Sequence, residues 1–266
     1  MKPLTEFTLE ARRKVRGVLC DIDDTLSTEG RITAEAYSAM ERLQHAGLLV
    51  IPVTGRPAGW CDHIARMWPV DGVVGENGAF YFRYDKAVHK MRRHFVHDAA
   101  TRGAHRARFA QIAQEITQAV PGTAIAADQS YRETDLAVDF REDVAPLPPS
   151  AVDEIVMRME KHGLTAKVSS IHVNGWFGGY DKLSMSKTLM REAFAVDLDA
   201  TRDQYVFVGD SPNDAPMFGY FPHAVGVANI LDFGERVEHL PAYVSSHRCG
   251  AGFAEVAECL LVARKL

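Results

Sequence analysis

The apolar run Val18-Leu19-Cys20 leads directly into Asp21-Ile22-Asp23-Asp24-Thr25, so a strand suited to burial ends in a cluster of carboxylates. Acids crowded beside apolar residues repel one another and resist leaving water unless a cation or a hydrogen-bonding loop compensates them. A divalent metal is the simplest compensation. Side chains alternate along an extended chain, which places Asp21 and Asp23 on one face and turns Asp24 away. Two acids on one face suit phosphoryl transfer: one carboxylate attacks phosphorus to form an acyl phosphate, and the other protonates the leaving oxygen. Taken alone, the run also fits an acidic strand-to-loop turn. It does not fit an EF-hand calcium loop, whose sixth position needs glycine for the sharp turn, where Leu26 follows Thr25 in this chain.

Around this strand the pattern alternates. Val15 to Asp21 is a strand, and Thr33 caps a helix whose Ala36, Tyr37, Met40 and Leu43 recur at helical spacing until Gly47. Leu48 to Val53 is the next strand, followed by the loop Thr54-Gly55-Arg56-Pro57, a helix with Trp60, Ile64, Met67 and Trp68 on one face, and a short strand over Gly72 to Val74. This order is that of a parallel sheet covered by helices. The middle of the chain breaks it, with a hairpin from Phe80 to His89, a helix from Ala99 to Ala119, a strand over Leu136 to Phe140, a helix from Ser150 to His162 and paired strands over Ala166 to Phe177. Alternation then resumes with a helix from Ser186 to Phe194 and strands over Tyr205 to Val208 and Ala224 to Val227. The expected class is α/β: a Rossmann-like doubly wound parallel sheet with an inserted α+β cap, the core spanning 1–82 and 178–266 and the cap 83–177.

Composition narrows the partners. A formal net charge of -5 over 266 residues argues against a generic nucleic-acid binder, which carries a basic excess to neutralise phosphates. The basic stretch from Arg83 to Arg108 reads first as a solvated face. Cys20, Cys61, Cys249 and Cys259 lack C-x-x-C spacing, which fits a reducing compartment, and the N-terminal residues carry charge rather than a long apolar segment. We therefore expect a cytoplasmic protein with no membrane span and no nucleic-acid partner; oligomeric state is not readable.

A second apolar strand ends in acids at Val206-Phe207-Val208-Gly209-Asp210-Ser211-Pro212-Asn213-Asp214. Ligands of open parallel sheets collect beyond the carboxyl ends of strands, so Asp21, Asp23 and Asp210 meet around one magnesium if both strands lie near the centre. Asp214 either holds a metal-bound water or is a helix N-terminal charge favoured by the dipole. With Thr54 after the second strand and a lysine in between, these motifs resemble those of the haloacid dehalogenase superfamily, over nearly the whole chain. Asn77-Gly78-Ala79 and Gly226-Val227-Ala228-Asn229 resemble its Cof-like and sugar-phosphatase branch, class IIB.

The resemblance implies a phosphatase for a small phosphorylated metabolite, a sugar phosphate by class, with magnesium as cofactor. By that likeness Asp21 is the nucleophile, Asp23 the acid and then the base, and Asp21, Asp23 (through its carbonyl), Asp210 and Asp214 the metal set. Thr54 and the Gly55 amide would position the phosphate, and Asn213 would contact it. For the lysine we expect Lys187, in Ser186-Lys187, over Lys182, whose Gly178-Gly179-Tyr180-Asp181-Lys182 context resembles phosphomannomutases. Ser170, His172 and Asn174 present polar tips on one strand face, which suits leaving-group recognition and equally any strand with a solvated face; His172 and Asn174 are the expected substrate contacts. A phosphomannomutase-like phosphotransferase and a non-catalytic phospholigand-binding module are the competing functions.

Overall fold

In the computed structural model, which describes residues 1–265, one parallel sheet and one antiparallel sheet face each other across the predicted site. The parallel sheet runs in the order Lys2–Pro3, Tyr243–Val244, Val225–Gly226, Tyr205–Gly209, Gly17–Cys20, Leu49–Pro52. Tyr205–Gly209 and Gly17–Cys20 are neighbours in register, Val206 opposite Val18 and Val208 opposite Cys20. Both read as unbroken apolar runs because helices cover both faces. On one side Met40, Leu43 and Ile64 join Val18, Cys20 and Val50 with Phe253 and Leu260 of the C-terminal helix; on the other Leu19, Ile51 and Phe207 pack on Met185 and Leu189. Among the described residues no helix is long and apolar enough to cross a membrane.

The antiparallel sheet, ordered Thr165–Val168, His172–Trp176, Asp135–Asp139, Ala124–Ile125, belongs to the inserted segment. Alternation divides its two faces. Leu136, Val138 and Val173 pack with Phe109, Ile112 and Ile116 of the helix Ala99–Ala119 and with Ile155 and Met159 of Pro149–Lys161. Asp135, Asp139, His172 and Asn174 therefore point the other way, toward the parallel sheet, and are buried there. A solvated polar face would leave them exposed; this one is closed by the core.

Several features depart from the sequence reading. The strand Val73–Gly75 joins the core sheet only by a parallel bridge between Val53 and Val74, and pairs antiparallel with Phe80–Asp85, which pairs with Lys90–Phe95. Phe80 and Phe82 lie in the core cluster with Phe95 against it, so a boundary at residue 82 cuts a strand that packs with the core. The expected helix at Ser186 instead begins at Lys182, because Asp181 and Ser184 form a capping box there. The N-terminal strand and the helix Cys249–Lys265 had no counterpart in the sequence reading. The basic stretch is a surface face with acid partners, Arg92 on Asp85, Arg93 on Asp62 and Arg106 on Glu133.

Gly78 makes the approach of the Lys182 helix to the core possible: its φ is +106°, and a Cβ there would overlap the Asp181 carbonyl. Gly78→Ala is therefore expected to destabilise the fold by about 2 kcal/mol or more, read as a lower denaturant midpoint. An unchanged midpoint would mean that this contact is not made.

Candidate active site

The site follows from strand adjacency. The Asp21 amide donates to the Val208 carbonyl (2.9 Å), so the first residue past Gly17–Cys20 lies beside the end of Tyr205–Gly209, where Asp210 begins. A short turn brings Asp214 back, its Oδ2 accepting from the Asp210 amide (3.2 Å). Gly209 is the enabling residue, since a Cβ there would overlap the Asp214 carboxylate. Carboxylate oxygens of Asp21, Asp210 and Asp214 lie within 4.8 Å of one another, all buried. Lys182 Nζ stands 3.2 Å from Asp21 Oδ2 and 2.7 Å from Asp214 Oδ1.

Three buried carboxylates facing one ammonium leave this pocket short of positive charge. Burial pushes Asp210 well above the usual carboxylate range, and Asp214 and Asp21 push it further. Burial also raises Asp21, to about 7; Lys182 acts against the rise, while Asp214 and Asp23 add to it. Burial works against the Lys182 charge too, but Asp21 and Asp214 outweigh it and the ammonium is held above its ordinary value. An all-oxygen donor set with excess negative charge fits a hard divalent cation, which Asp21, Asp210 and Asp214 would hold. The rest of the cluster is already oriented: the Thr25 hydroxyl donates to Asp210 Oδ1 (3.1 Å), and the Asn229 amide reaches Asp210 Oδ2 (3.2 Å) and the Asp24 carbonyl (2.9 Å).

Lys187, expected at this site, is elsewhere. Its ammonium pairs with Asp199 (2.6 Å) on the protein surface. Because the helix starts at Lys182, Lys187 follows by five residues, which at about 100° per residue turns it to a different face. The lysine beside Asp21 is Lys182.

Thr54 is buried just past Leu49–Pro52, and its Oγ1 accepts the Arg56 amide (3.0 Å), leaving the hydroxyl proton to donate elsewhere. Gly55 packs against the Asn77 amide, while Asn213 takes the Ser211 hydroxyl (2.7 Å) and lines the chamber between core and cap. Asp23 does not join the carboxylate cluster through its side chain. Arg56 grips it with Nε at 2.9 and 3.1 Å from the two oxygens and Nη2 at 2.8 Å from Oδ1.

Arg56 is one of several ties between core and cap that the sequence reading did not single out. Its Nη2 also reaches Glu142 (2.8 Å), and its Nη1 lies 3.6 Å from Asp128. Arg132, fully buried, forks onto Asp128 and Asp135 and donates to the Gly55 carbonyl (3.0 Å). Glu76, at φ +42°, accepts the amides of Ala58 and Glu133 (2.9 Å each) and Thr134 (2.6 Å), together with the Thr134 hydroxyl. His172 Nε2 lies 2.9 Å from Glu142 Oε2, off the line a hydrogen bond prefers, and Asn174 donates to Asp135 (2.9 Å). His172, Asn174, Ser170 and Asn213 thus share one chamber with Asp21 and Asp23, and its open volume is about 10 Å³. That is room for roughly one water.

Residues 18–102 match the haloacid dehalogenase-like hydrolase family. A phosphoglycolate phosphatase of Methanosarcina mazei is 26% identical over 255 residues, 93% of this chain and 97% of that one. Among solved structures, a Thermoplasma acidophilum protein superposes with a TM-score of 0.70 at 19% identity, covering 93% of this chain and 99% of its own. A Plasmodium vivax protein assigned to the HAD/COF-like hydrolases does so at 0.66 and 17%, covering 96% and 99%. Over those residues the chain is similar to the haloacid dehalogenase-like hydrolases. The solved structures share its fold across nearly the whole chain.

If Lys182 serves the reacting carboxylate, Lys182→Met should cost at least about 100-fold in kcat and Lys187→Met less than about twofold. Steady-state rates of the two purified variants decide between them, and the reverse ranking would return the role to Lys187.

Proposed function

We propose that the protein is a magnesium-dependent phosphatase that hydrolyses a small phosphorylated metabolite, a sugar phosphate by class, through an aspartyl phosphate on Asp21. The observation that carries this reading is the buried cluster in which Asp21 contacts Lys182 beside Asp210 and Asp214. Magnesium would be held by Asp21, Asp210 and Asp214, with the Asp23 carbonyl, and would offset the repulsion between two anions that must meet. An Asp21 oxygen attacks phosphorus and the bond to the leaving oxygen breaks. Lys182 pairs with the charge on the transferring group, while the Thr54 hydroxyl and Gly55 amide hold its other oxygens for in-line attack. Asp23 gives its proton to the leaving alkoxide, then takes one from the water that cleaves the acyl phosphate and frees Asp21. We assign the enzyme to the cytoplasm, in keeping with its unpaired thiols.

The chamber walls support a neutral, hydroxyl-rich leaving group. Arg56 and Arg132 face Asp23, Asp128, Asp135 and Glu142, so carboxyl groups outnumber guanidiniums in the wall. Hydroxyls can donate to those carboxylates, whereas the carboxylate of phosphoglycolate, the substrate in the relative's name, would meet like charge. A second reading has one observation in its favour: Lys182 lies in the run Gly178-Gly179-Tyr180-Asp181-Lys182 that resembles phosphomannomutases. It would retain the phosphoryl group and isomerise a sugar phosphate only when a bisphosphate is supplied.

Phosphate release from a panel of sugar phosphates, phosphoglycolate and nucleotides, with and without magnesium, tests this assignment against Asp21→Asn as the contamination control. Sugar phosphates are expected to lead, with loss of turnover on chelation and in the variant. Release by pure Asp21→Asn would sink the nucleophile assignment, and a lead for phosphoglycolate would sink the substrate class.

A further inference from the structure

Arg56 joins the two halves of the molecule at one guanidinium. The same Nη2 donates to Asp23 Oδ1 on the core and to Glu142 Oε1 on the cap, at 2.8 Å each. Its remaining edge faces Asp128, and its carbon lies 4.5 Å from the centre of the Trp60 ring. The side chain is only 6% exposed. Among the described residues, Asp23 has no side-chain hydrogen bond or ion pair other than those with Arg56. The rotamer of Asp23 thus depends on where Arg56 lies, and the position of Arg56 depends on a cap carboxylate.

Glu142 is itself built into place. The Asp139 carboxylate accepts the amides of Arg141 (2.8 Å), Glu142 (2.7 Å) and Asp143 (2.8 Å), which fixes the turn that carries it. Its second oxygen meets His172 Nε2 at 2.9 Å. Burial alone would raise its carboxyl; His172 and Arg56 reverse this and hold it down at about 2, so the ion pair with Arg56 is fully charged at neutral pH.

We propose that Glu142 is a positioning residue: acting through Arg56, it fixes the Asp23 carboxylate for proton transfer when the cap is down, and releases it when the cap lifts. The coupling follows from geometry. A planar guanidinium that forks onto Asp23 transmits a shift at one edge to the carboxylate at the other, and a lysine cannot do this. Proton transfer requires hydrogen-bond reach, and a displacement of about 1 Å can cost on the order of 100-fold in rate. With the cap lifted, Arg56 loses both Glu142 and Asp128, the cap carboxylates that fix where it holds Asp23. The acid/base group would then be set in place only over an enclosed substrate.

This inference rests on the reading of Asp23 as acid and base, and a double-mutant cycle separates the two. Glu142→Ala, Asp23→Asn and the double variant are compared on a sugar phosphate and on an aryl phosphate, whose leaving group needs little protonation. Glu142→Ala is expected to lower kcat on the sugar phosphate roughly tenfold or more with KM little changed, to spare the aryl phosphate, and to cost nothing further in the Asp23→Asn background. Glu142→Gln, which keeps the shape and removes the charge, should fall between wild type and alanine, and guards against a folding defect in the latter. The same loss in both backgrounds, or a change confined to KM, would overturn the positioning role even with Asp23 intact as acid. If Asp23→Asn harms both substrates equally, the acid reading fails, and the coupling with it.

Discussion

The interaction on which the rest of this structure depends is the meeting of Asp21, Asp210 and Asp214 with a single ammonium at the end of two adjacent strands. Buried charges of one sign persist only with compensation, and the surrounding fold supplies it. Gly209 lets Asp214 close on Asp210, Gly78 admits the Asp181 backbone, and the Asp181 capping box starts a helix whose first residue is Lys182. Thr25 and Asn229 then hold Asp210 from opposite sides. What remains uncompensated is negative charge with oxygen donors around it, the condition under which a divalent cation binds.

The second constraint is the two-faced cap sheet. Because side chains alternate, the strands that supply Leu136, Val138 and Val173 to the cap core must send Asp135, Asp139, His172 and Asn174 toward the catalytic end of the parallel sheet. Asp135, Asp139 and Asn174 are satisfied by one another, by Arg132 and by neighbouring cap amides, and Arg132, Arg56 and Glu76 tie this face to the core. The chamber walls are therefore joined by hydrogen bonds and ion pairs. Such contacts can be exchanged for water at modest cost and are directional where they form.

The core was legible from the sequence because its signals are local. An apolar run ending in acids, followed by Thr54 and later by Gly209-Asp210, states strand, end and chemistry within a few residues. Lys187 was misassigned because two lysines lie five residues apart near a helix start, and only the capping box at Asp181 decides which one begins the helix and faces the acids. Arg56, Arg132, Glu76 and Glu142 gave little warning. Each reads as an ordinary surface charge in a loop, and its burial is created by a cap that folds from residues far along the chain. The same long-range closure turned a strand pattern that fits a solvated face into the wall of a chamber.

The most direct test of the account is chemical trapping of the phosphorylated carboxylate. The enzyme is quenched during turnover of its best sugar phosphate, reduced with borohydride, which converts an acyl phosphate of aspartate to homoserine, and mapped by peptide mass spectrometry. Substrate-dependent homoserine at position 21, absent without substrate, is the predicted result. Reduction at another residue, or none while phosphate is being released, would contradict Asp21 as the nucleophile on which the whole site is read.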